Sequence, residues 1–268
     1  MPEGFVVARA ARHDWEEPCI SGTNGSGTVF FSGCSLGCVF CQNKEISADG
    51  FGKEISDERL MEIFDELTEQ GVHNINLVNP THYAERLARV LREYKPKVPI
   101  VYNSGGYEKV ETLRKLEGLV DIYLPDLKYI SPDRSLKYSL AENYFDYAAP
   151  AVKEMIRQTG SAVIDENGIM QKGTVIRHLI LPKNTNQSVQ IIKWLDENVP
   201  HETYISLMSQ YTPIVHSEIY PELNRRITER EYEKVLSALE NSGFENYFVQ
   251  QLGSASDGFI PKFDLSGI

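Results

Sequence analysis

Basic residues are in short supply in this 268-residue chain, with 27 Lys and Arg against 38 Asp and Glu and a formal net charge of −11. An acidic protein repels polyphosphate backbones overall, which argues against a general nucleic-acid binder while leaving room for a local basic groove. Long apolar runs are missing as well. No stretch of about 18 apolar residues occurs, so no membrane span is expected. The opening MPEGFVVARAARHDWEEP lacks the apolar core of a signal peptide, so export is not expected either. Cysteine is rare, four in all, and the scattered pairs of a secreted disulfide framework are absent. Three of the four fall between positions 34 and 41. A tight cluster in a chain without an export signal points to a metal site in a reducing cytoplasm.

What is present is ordinary for a globular protein, 41% hydrophobic and 24% charged residues. A chain this long buries roughly 70–75% of its unfolded surface and needs no disulfide staples. Strand-like runs rich in Val, Ile, Leu and Tyr cover 27–32, 73–79, 98–103, 120–128, 174–181 and 203–208. Most are apolar on both faces, as in a buried parallel sheet. Helical periodicity fills the intervals at 56–70, 83–94, 107–116, 150–159, 187–198 and 228–242. Pro150 is placed in a first helical turn, and Asn167–Gly168 reads as the tip of a hairpin. Strand–helix alternation repeated about six times implies right-handed crossovers and a parallel α/β sheet. Six units are too few to close an eight-stranded barrel, and no paired glycine fingerprint marks a doubly wound sheet. The expectation is an open partial (β/α)6 barrel. No low-complexity linker divides the chain, so residues 1–268 are read as one domain with a metal-binding loop at 33–46 after the first strand.

That loop reads Cys34-Ser-Leu-Gly-Cys38-Val-Phe-Cys41, a C-x3-C-x2-C spacing. Three thiolates on one loop hold three corners of an iron–sulfur cube and leave the fourth iron open for chemistry. Gly33 and Gly37 let the backbone wrap closely around such a cluster. Phe40 can shield it from water or stack on an adenine. The competing reading is structural zinc with Cys19 or a histidine as fourth ligand, but zinc sites usually come as two spaced pairs. A lone cysteine such as Cys19 is most often an inert small residue. His13, Glu16 and Glu17 read as solvated charge more readily than as a metal site. Tyrosines between Lys137 and Tyr147 read as packing or substrate lining.

The cysteine spacing resembles the signature of the radical S-adenosylmethionine (radical SAM) superfamily. The stretches SGTNGSGTVFFSGCSLGCVFCQN, GVHNINLVNPTHY, VYNSGGYE, VDIYLPDLKY, VIRHLILP and MSQYTP, spread from Ser21 to Pro213, are similar to the pyruvate formate-lyase activating enzymes, and particularly to one branch of their homologues. The resemblance implies a partial, roughly six-stranded α/β barrel of radical SAM type, in agreement with the strand count.

In a parallel α/β barrel ligands gather at the C-terminal ends of the strands. The second run ends in Asn79-Pro80-Thr81-His82, where the superfamily often carries a Gly-Gly-Glu that contacts the methionine amino group. Glycine pair and glutamate are both gone, and Asn79 or Thr81 stands to offer oxygens instead. His82 is either a cofactor contact or a helix-start histidine. The third run ends in Asn103-Ser104-Gly105-Gly106, where the activases have Asp-Thr-Asn-Gly, which holds cofactor and in one type a monovalent cation. Asn103 lacks that negative charge, and a plain glycine-rich turn is the other reading. Asp126 and Lys128 share one face of the fourth run. Inward charges there need a partner or a ligand. The activases carry the same Asp-x-Lys at their S-adenosylmethionine site; a buried structural ion pair is the alternative. Arg177 matches a family arginine near the cofactor carboxylate and ribose. Gln210 stands where the activases place a cofactor-contacting histidine.

The function implied by the resemblance is that of an oxidoreductase with two cofactors, a 4Fe–4S cluster held by Cys34, Cys38 and Cys41, and S-adenosylmethionine. Reductive cleavage of S-adenosylmethionine yields methionine and a 5′-deoxyadenosyl radical, with the electron coming from a donor such as flavodoxin or ferredoxin. The first expected role is to activate a glycyl radical enzyme, and the second is hydrogen abstraction from a small molecule or peptide. A metal-binding structural protein is the non-enzymatic alternative.

Overall fold

The computed structural model describes residues 4–213, 216–250, 252 and 261–268. The elements run β1 (Phe5–His13), α1 (Pro18–Ser21), β2 (Ser26–Phe31), α2 (Lys44–Ser47), β3 (Lys53–Ile55), α3 (Asp57–Glu69), β4 (Ile75–Val78), α4 (Ala84–Glu93), β5 (Ile100–Ser104) and α5 (Val110–Arg114). They continue with β6 (Ile122–Pro125), α6 (Pro132–Ser139), α7 (Tyr144–Thr159), β7 (Val163–Ile164), β8 (Met170–Leu179), α8 (Thr185–Asn198), β9 (Tyr204–Met208), α9 (Glu229–Glu240) and β10 (Tyr247–Val249). The strands join in the order β10-β9-β8-β6-β5-β4-β2-β1-β3, with β7 paired to β8. The six expected strands β2, β4, β5, β6, β8 and β9 are parallel neighbours, and β10 adds a seventh parallel strand. This order does not return on itself. The architecture is an open partial α/β barrel.

Alternation along the parallel strands sends every second side chain to the helices and the others to the lumen. Ile75, Leu77, Ile100, Tyr102 and Tyr123 pack in one core with the residues of α3, α4 and α5. Ile176, Ile205 and Leu207 pack in a second with α8 and α9. Facing inward, Val101, Ile122, Leu124 and Val175 form an apolar layer at the N-terminal end of the lumen, and Cys19 and Ile20 of α1 plug it. Parallel strands buried on both faces are what the near-continuous apolar runs predict.

Local signals act where expected. The Ser56 hydroxyl accepts from the Arg59 N–H at 3.2 Å to start α3, and Thr228 with Glu231 forms a capping box on α9. The hairpin turns at Gly168, with the Asp165 N–H bonded to the Ile169 carbonyl at 2.9 Å. Two expectations change. β1 and β3, antiparallel additions beyond the barrel, and the three-residue β10 escape the sequence reading, because β1 interrupts its apolar residues with Arg9 and Arg12 and the other two are too short to show a period. Helix α7 begins at Tyr144, so Pro150 lies inside it; Asp146, whose carbonyl loses its partner there, is exposed to water.

One backbone contact is unusually close. Gly106, just past β5, adopts φ +75°, and a Cβ there would lie 2.1 Å from the Asp126 carbonyl oxygen. Gly106→Ala therefore meets both the left-handed penalty and a fixed backbone atom, and should lower stability by about 3 kcal/mol or more. Denaturant unfolding of the apo protein measures this; a loss below about 0.5 kcal/mol would contradict the approach of β6 to the Gly106 turn.

Candidate active site

A cavity of about 290 Å³ opens at the C-terminal ends of the parallel strands. Its lining includes Cys34, Cys38, Phe40 and Cys41 from the loop after β2, Asn79 after β4, Asn103 and Ser104 of β5, Asp126 and Lys128 after β6, Arg177 of β8 and Gln210 after β9. Eleven of the twelve residues expected from sequence are thus brought to one place. Thr81 is not. Its hydroxyl turns away and donates to the carboxylate of Glu108 at 2.6 Å, because the chain enters a 3-10 turn at Thr81–Tyr83 before α4.

The cysteine loop is held from two sides. On one, the Gly37 and Val39 N–H groups donate to the Ser139 and Tyr138 carbonyls of α6 at 3.1 and 2.9 Å. On the other, the Asn79 side-chain amide donates to the Gly33 carbonyl, and His82 Nε2 lies 2.8 Å from the Ser32 carbonyl. Asn79 adopts φ +58°, a conformation uncommon outside glycine that short polar side chains tolerate best. The segment lacking the Gly-Gly-Glu therefore buckles the loop to β4, and His82 sits behind the loop, outside the cavity lining.

All three thiols are free and half-buried. Burial pushes the Cys34 thiol up and that of Cys38 up to about 11, while the Lys128 ammonium draws both down. Cys38 Sγ lies 2.9 Å from the Ser139 hydroxyl and Cys41 Sγ 3.2 Å from that of Ser47. Among the described residues no three His, Cys, Asp or Glu side chains converge as ligands of a single ion would. The three thiols line one cavity, the placement that cysteine ligands of an iron–sulfur cluster require. Cys19 is excluded by distance in the fold, being packed with Val101, Ile122 and Leu124 in the lumen plug, where burial pushes its thiol up to about 12.

Below the thiols lies a layer of charge. Arg177 Nε donates to Asp126 Oδ1 at 2.9 Å, Nη2 donates to Asn103 Oδ1 at 2.5 Å, and Nη1 lies 3.3 Å from Glu16 Oε2. Lys128 Nζ pairs with Asp126 Oδ2. The side chains of Glu16, Arg177, Asp126 and Lys128 are only 11, 13, 16 and 19% exposed. Both readings of Asp126 and Lys128 are met at once, since the ion pair exists and also lines the cavity. Against the cost of burial, Arg177 and Lys128 hold the Asp126 carboxyl below its usual range.

Glu16, Glu17 and His13 do not behave as solvated charge. After β1 the chain turns into the lumen instead of across the surface, so His13 and Glu16 line the cavity and Glu17 is 8% exposed. Burial pushes the Glu16 carboxyl up to about 7 in spite of Arg177. The available signal was an acidic pair separated by Pro18 from the apolar Cys19-Ile20, too short to show a period. Glu108 was also missed. It is 2% exposed and accepts hydroxyl bonds from Thr81 and, at 3.3 Å, from Tyr102.

Comparison with known proteins agrees with the geometry. Residues 28–195 match the radical SAM superfamily. An uncharacterised protein of Methanocaldococcus jannaschii is 31% identical over 224 residues, which cover 80% of this chain and 62% of that protein. SuiB of Streptococcus suis, solved bound to its precursor peptide SuiA, aligns with a TM-score of 0.56 at 14% identity, over 82% of this chain and 47% of SuiB. The FeFe-hydrogenase maturase HydG of Carboxydothermus hydrogenoformans aligns at 0.51 and 18% identity, over 78% of this chain and 48% of HydG. The likeness to both structures is one of fold, and this chain spans about half the length of each. The chain belongs to the radical SAM superfamily. Its enzymes use a 4Fe–4S cluster and S-adenosylmethionine and carry out radical chemistry.

Two measurements test this site. Anaerobic reconstitution should load about four iron and four sulfide per chain. Cys19→Ser should keep that loading and Cys38→Ser should lose it; the opposite pattern would reverse the ligand assignment. The second concerns Glu108, whose carboxyl burial lifts from 4.5 to about 7. The folded state then holds this proton more tightly than the unfolded chain, so stability falls as pH rises from about 4.5 to about 7. Glu108→Gln should make the apo protein more stable than wild type at pH 8, by about 1–3 kcal/mol, with the gap closing near pH 4. Parallel melting profiles across this range would show that Glu108 carries no such penalty.

Proposed function

We propose that Cys34, Cys38 and Cys41 hold the cluster and that the residues of the cavity floor bind S-adenosylmethionine for transfer of a radical to a glycine on a flexible loop of a partner protein. When bound and reduced, the cluster supplies the electron that cleaves S-adenosylmethionine into methionine and a 5′-deoxyadenosyl radical. The protein's own residues do the rest. Asp126, Arg177 and Asn103 form a pre-paired floor that meets the polar end of the cofactor without rearrangement. Ser104 lines the same wall, where its hydroxyl accepts from the Gly106 N–H at 3.2 Å and fixes the turn after β5. Phe40, set edge-on to Tyr211 at 6.2 Å, walls the chamber with apolar surface that excludes water.

The observation that carries the activase reading is the size of the chamber. At about 290 Å³ it lies at the small end of ligand pockets, and a cofactor as large as S-adenosylmethionine takes up most of it. The next cavity found among the described residues is lined by Ile156, Gly160, Thr174 and Pro200, and shares no residue with the first. A hydrogen donor must then enter through the mouth, as a narrow peptide loop can. A fold neighbour solved with a precursor peptide is consistent with a peptide donor. We take flavodoxin or ferredoxin as the electron source, and a reducing cytoplasm as the setting that keeps three thiols free.

A second reading, hydrogen abstraction from a small molecule or a peptide, draws on the departures from the activases at Asn79–His82 and Gln210. One experiment separates the two. Reduced, reconstituted protein is incubated with S-adenosylmethionine and glycyl radical enzymes from the same source. The activase reading expects a paramagnetic doublet that collapses to a singlet when the partner's glycine α-hydrogens are replaced by deuterium. If no doublet forms and deuterium instead enters 5′-deoxyadenosine from a labelled metabolite or peptide, the second reading holds.

A further inference from the structure

The charges in and beneath the cavity floor do not balance. Among the described residues three acidic side chains, Glu16, Glu17 and Asp126, stand against two cations, Arg177 and Lys128. Their distribution is uneven. Both Asp126 oxygens are matched to a cation, Oδ1 to Arg177 and Oδ2 to Lys128. Glu16 has less. Among the described residues its Oε1 accepts from neutral amides, Asn76 Nδ2 at 3.0 Å and Asn103 Nδ2 at 3.4 Å, and its Oε2 reaches an Arg177 already engaged by Asp126, at the longer distance of 3.3 Å. Behind it, Glu17 is 8% exposed and its Oε2 has no hydrogen-bond partner. The acidic groups without a matched cation are therefore concentrated at the Glu16–Glu17 end of the floor; Glu16 lines the cavity, and a cation arriving there draws its partly protonated carboxyl into the ionised form.

A buried excess of one sign is unfavourable until a ligand of the opposite sign arrives. S-adenosylmethionine is such a ligand, because its sulfonium adds a positive charge to a methionine zwitterion that is otherwise neutral. Its thioether analogue, S-adenosylhomocysteine, has almost the same shape and lacks that charge. Methionine and 5′-deoxyadenosine, the cleavage products, lack it too.

We propose that Glu16, backed by Glu17, is a specificity-determining residue of the cofactor site, whose charge selects the sulfonium form of the cofactor over uncharged thioethers and favours loss of the products after cleavage. It rests on the reading that this cavity is the S-adenosylmethionine site. The device is separate from the strand ends, since both glutamates come from the segment between β1 and α1 that enters the lumen from its other end.

The test is equilibrium dialysis of labelled S-adenosylmethionine and S-adenosylhomocysteine against anaerobically reconstituted wild-type, Glu16→Gln and Glu17→Gln proteins, with apo-protein melts alongside. Wild type should prefer S-adenosylmethionine. In Glu16→Gln its affinity should fall about tenfold while that of S-adenosylhomocysteine changes less than about twofold, as expected for one charge interaction lost in a poorly screened site. Glu17→Gln should act in the same direction by about threefold, and it carries the test alone if the Glu16 variant does not fold or load. The melts should not fall, because neutralising an under-compensated buried carboxylate removes repulsion. Equal weakening of both ligands would make Glu16 a structural support and overturn the proposal, as would an unchanged ratio in a folded, loaded variant. Wild type that binds neither ligand would overturn the assignment of the cavity itself, an outcome distinct from both.

Discussion

The guanidinium of Arg177 is the joint on which the cavity floor depends. It reaches Asp126 beyond β6, Asn103 on β5 and Glu16 on the segment before α1, so one planar cation ties together four stretches of chain that are far apart in sequence. Its fork of donors suits that task in a way a lysine ammonium does not. Pairs of this kind seldom add net stability, because desolvation offsets most of the attraction. Their position is more telling. They lie between the apolar plug around Cys19 and Ile20 and the polar chamber above, where the lumen passes from packing to chemistry. The floor is thus assembled and oriented by contacts within the protein alone.

The loop above that floor is fixed with equal economy. Its two glycines approach different walls: a Cβ on Gly33 would meet His82 at 3.1 Å, and one on Gly37 would meet Leu140 at 2.9 Å. With Asn79 and His82 holding the loop's entry and α6 holding its middle, the three thiols emerge from a backbone whose Gly33, Gly37 and Val39 N–H groups and Ser32 and Gly33 carbonyls are already engaged. A ligand set carried on a braced loop loses little conformational entropy on binding, which is the advantage of preorganisation.

Most of this was legible in the sequence, and the reason is periodicity. Strands buried on both faces announce themselves as apolar runs, and a polar residue within such a run, as Asn103, Asp126 and Arg177 are, has few places to go except the lumen. The cysteine spacing is local and needed no fold. What stayed hidden depends on contacts between distant segments. Glu16 looks like half of a surface charge pair until α1 is seen inside the barrel. Thr81 looks like a cofactor contact until the 3-10 turn carries it to Glu108. The missing Gly-Gly-Glu was visible as an absence, but the work of Asn79 and His82 at the back of the cysteine loop was not.

The plug formed by Cys19 and Ile20 closes the lower end of the lumen, so among the described residues the cavity opens at the C-terminal ends of the strands. Traffic through that opening has to queue. On the proposed function, S-adenosylmethionine would enter before a donor covers the opening, and methionine and 5′-deoxyadenosine would leave only after that donor steps away. On that same reading, a loop seated in the mouth would act as a stopper as well as a reactant, keeping solvent and small thiols from the radical. The short wedge of chain at the foot of the barrel would thereby impose an order of events on the opening at the opposite end.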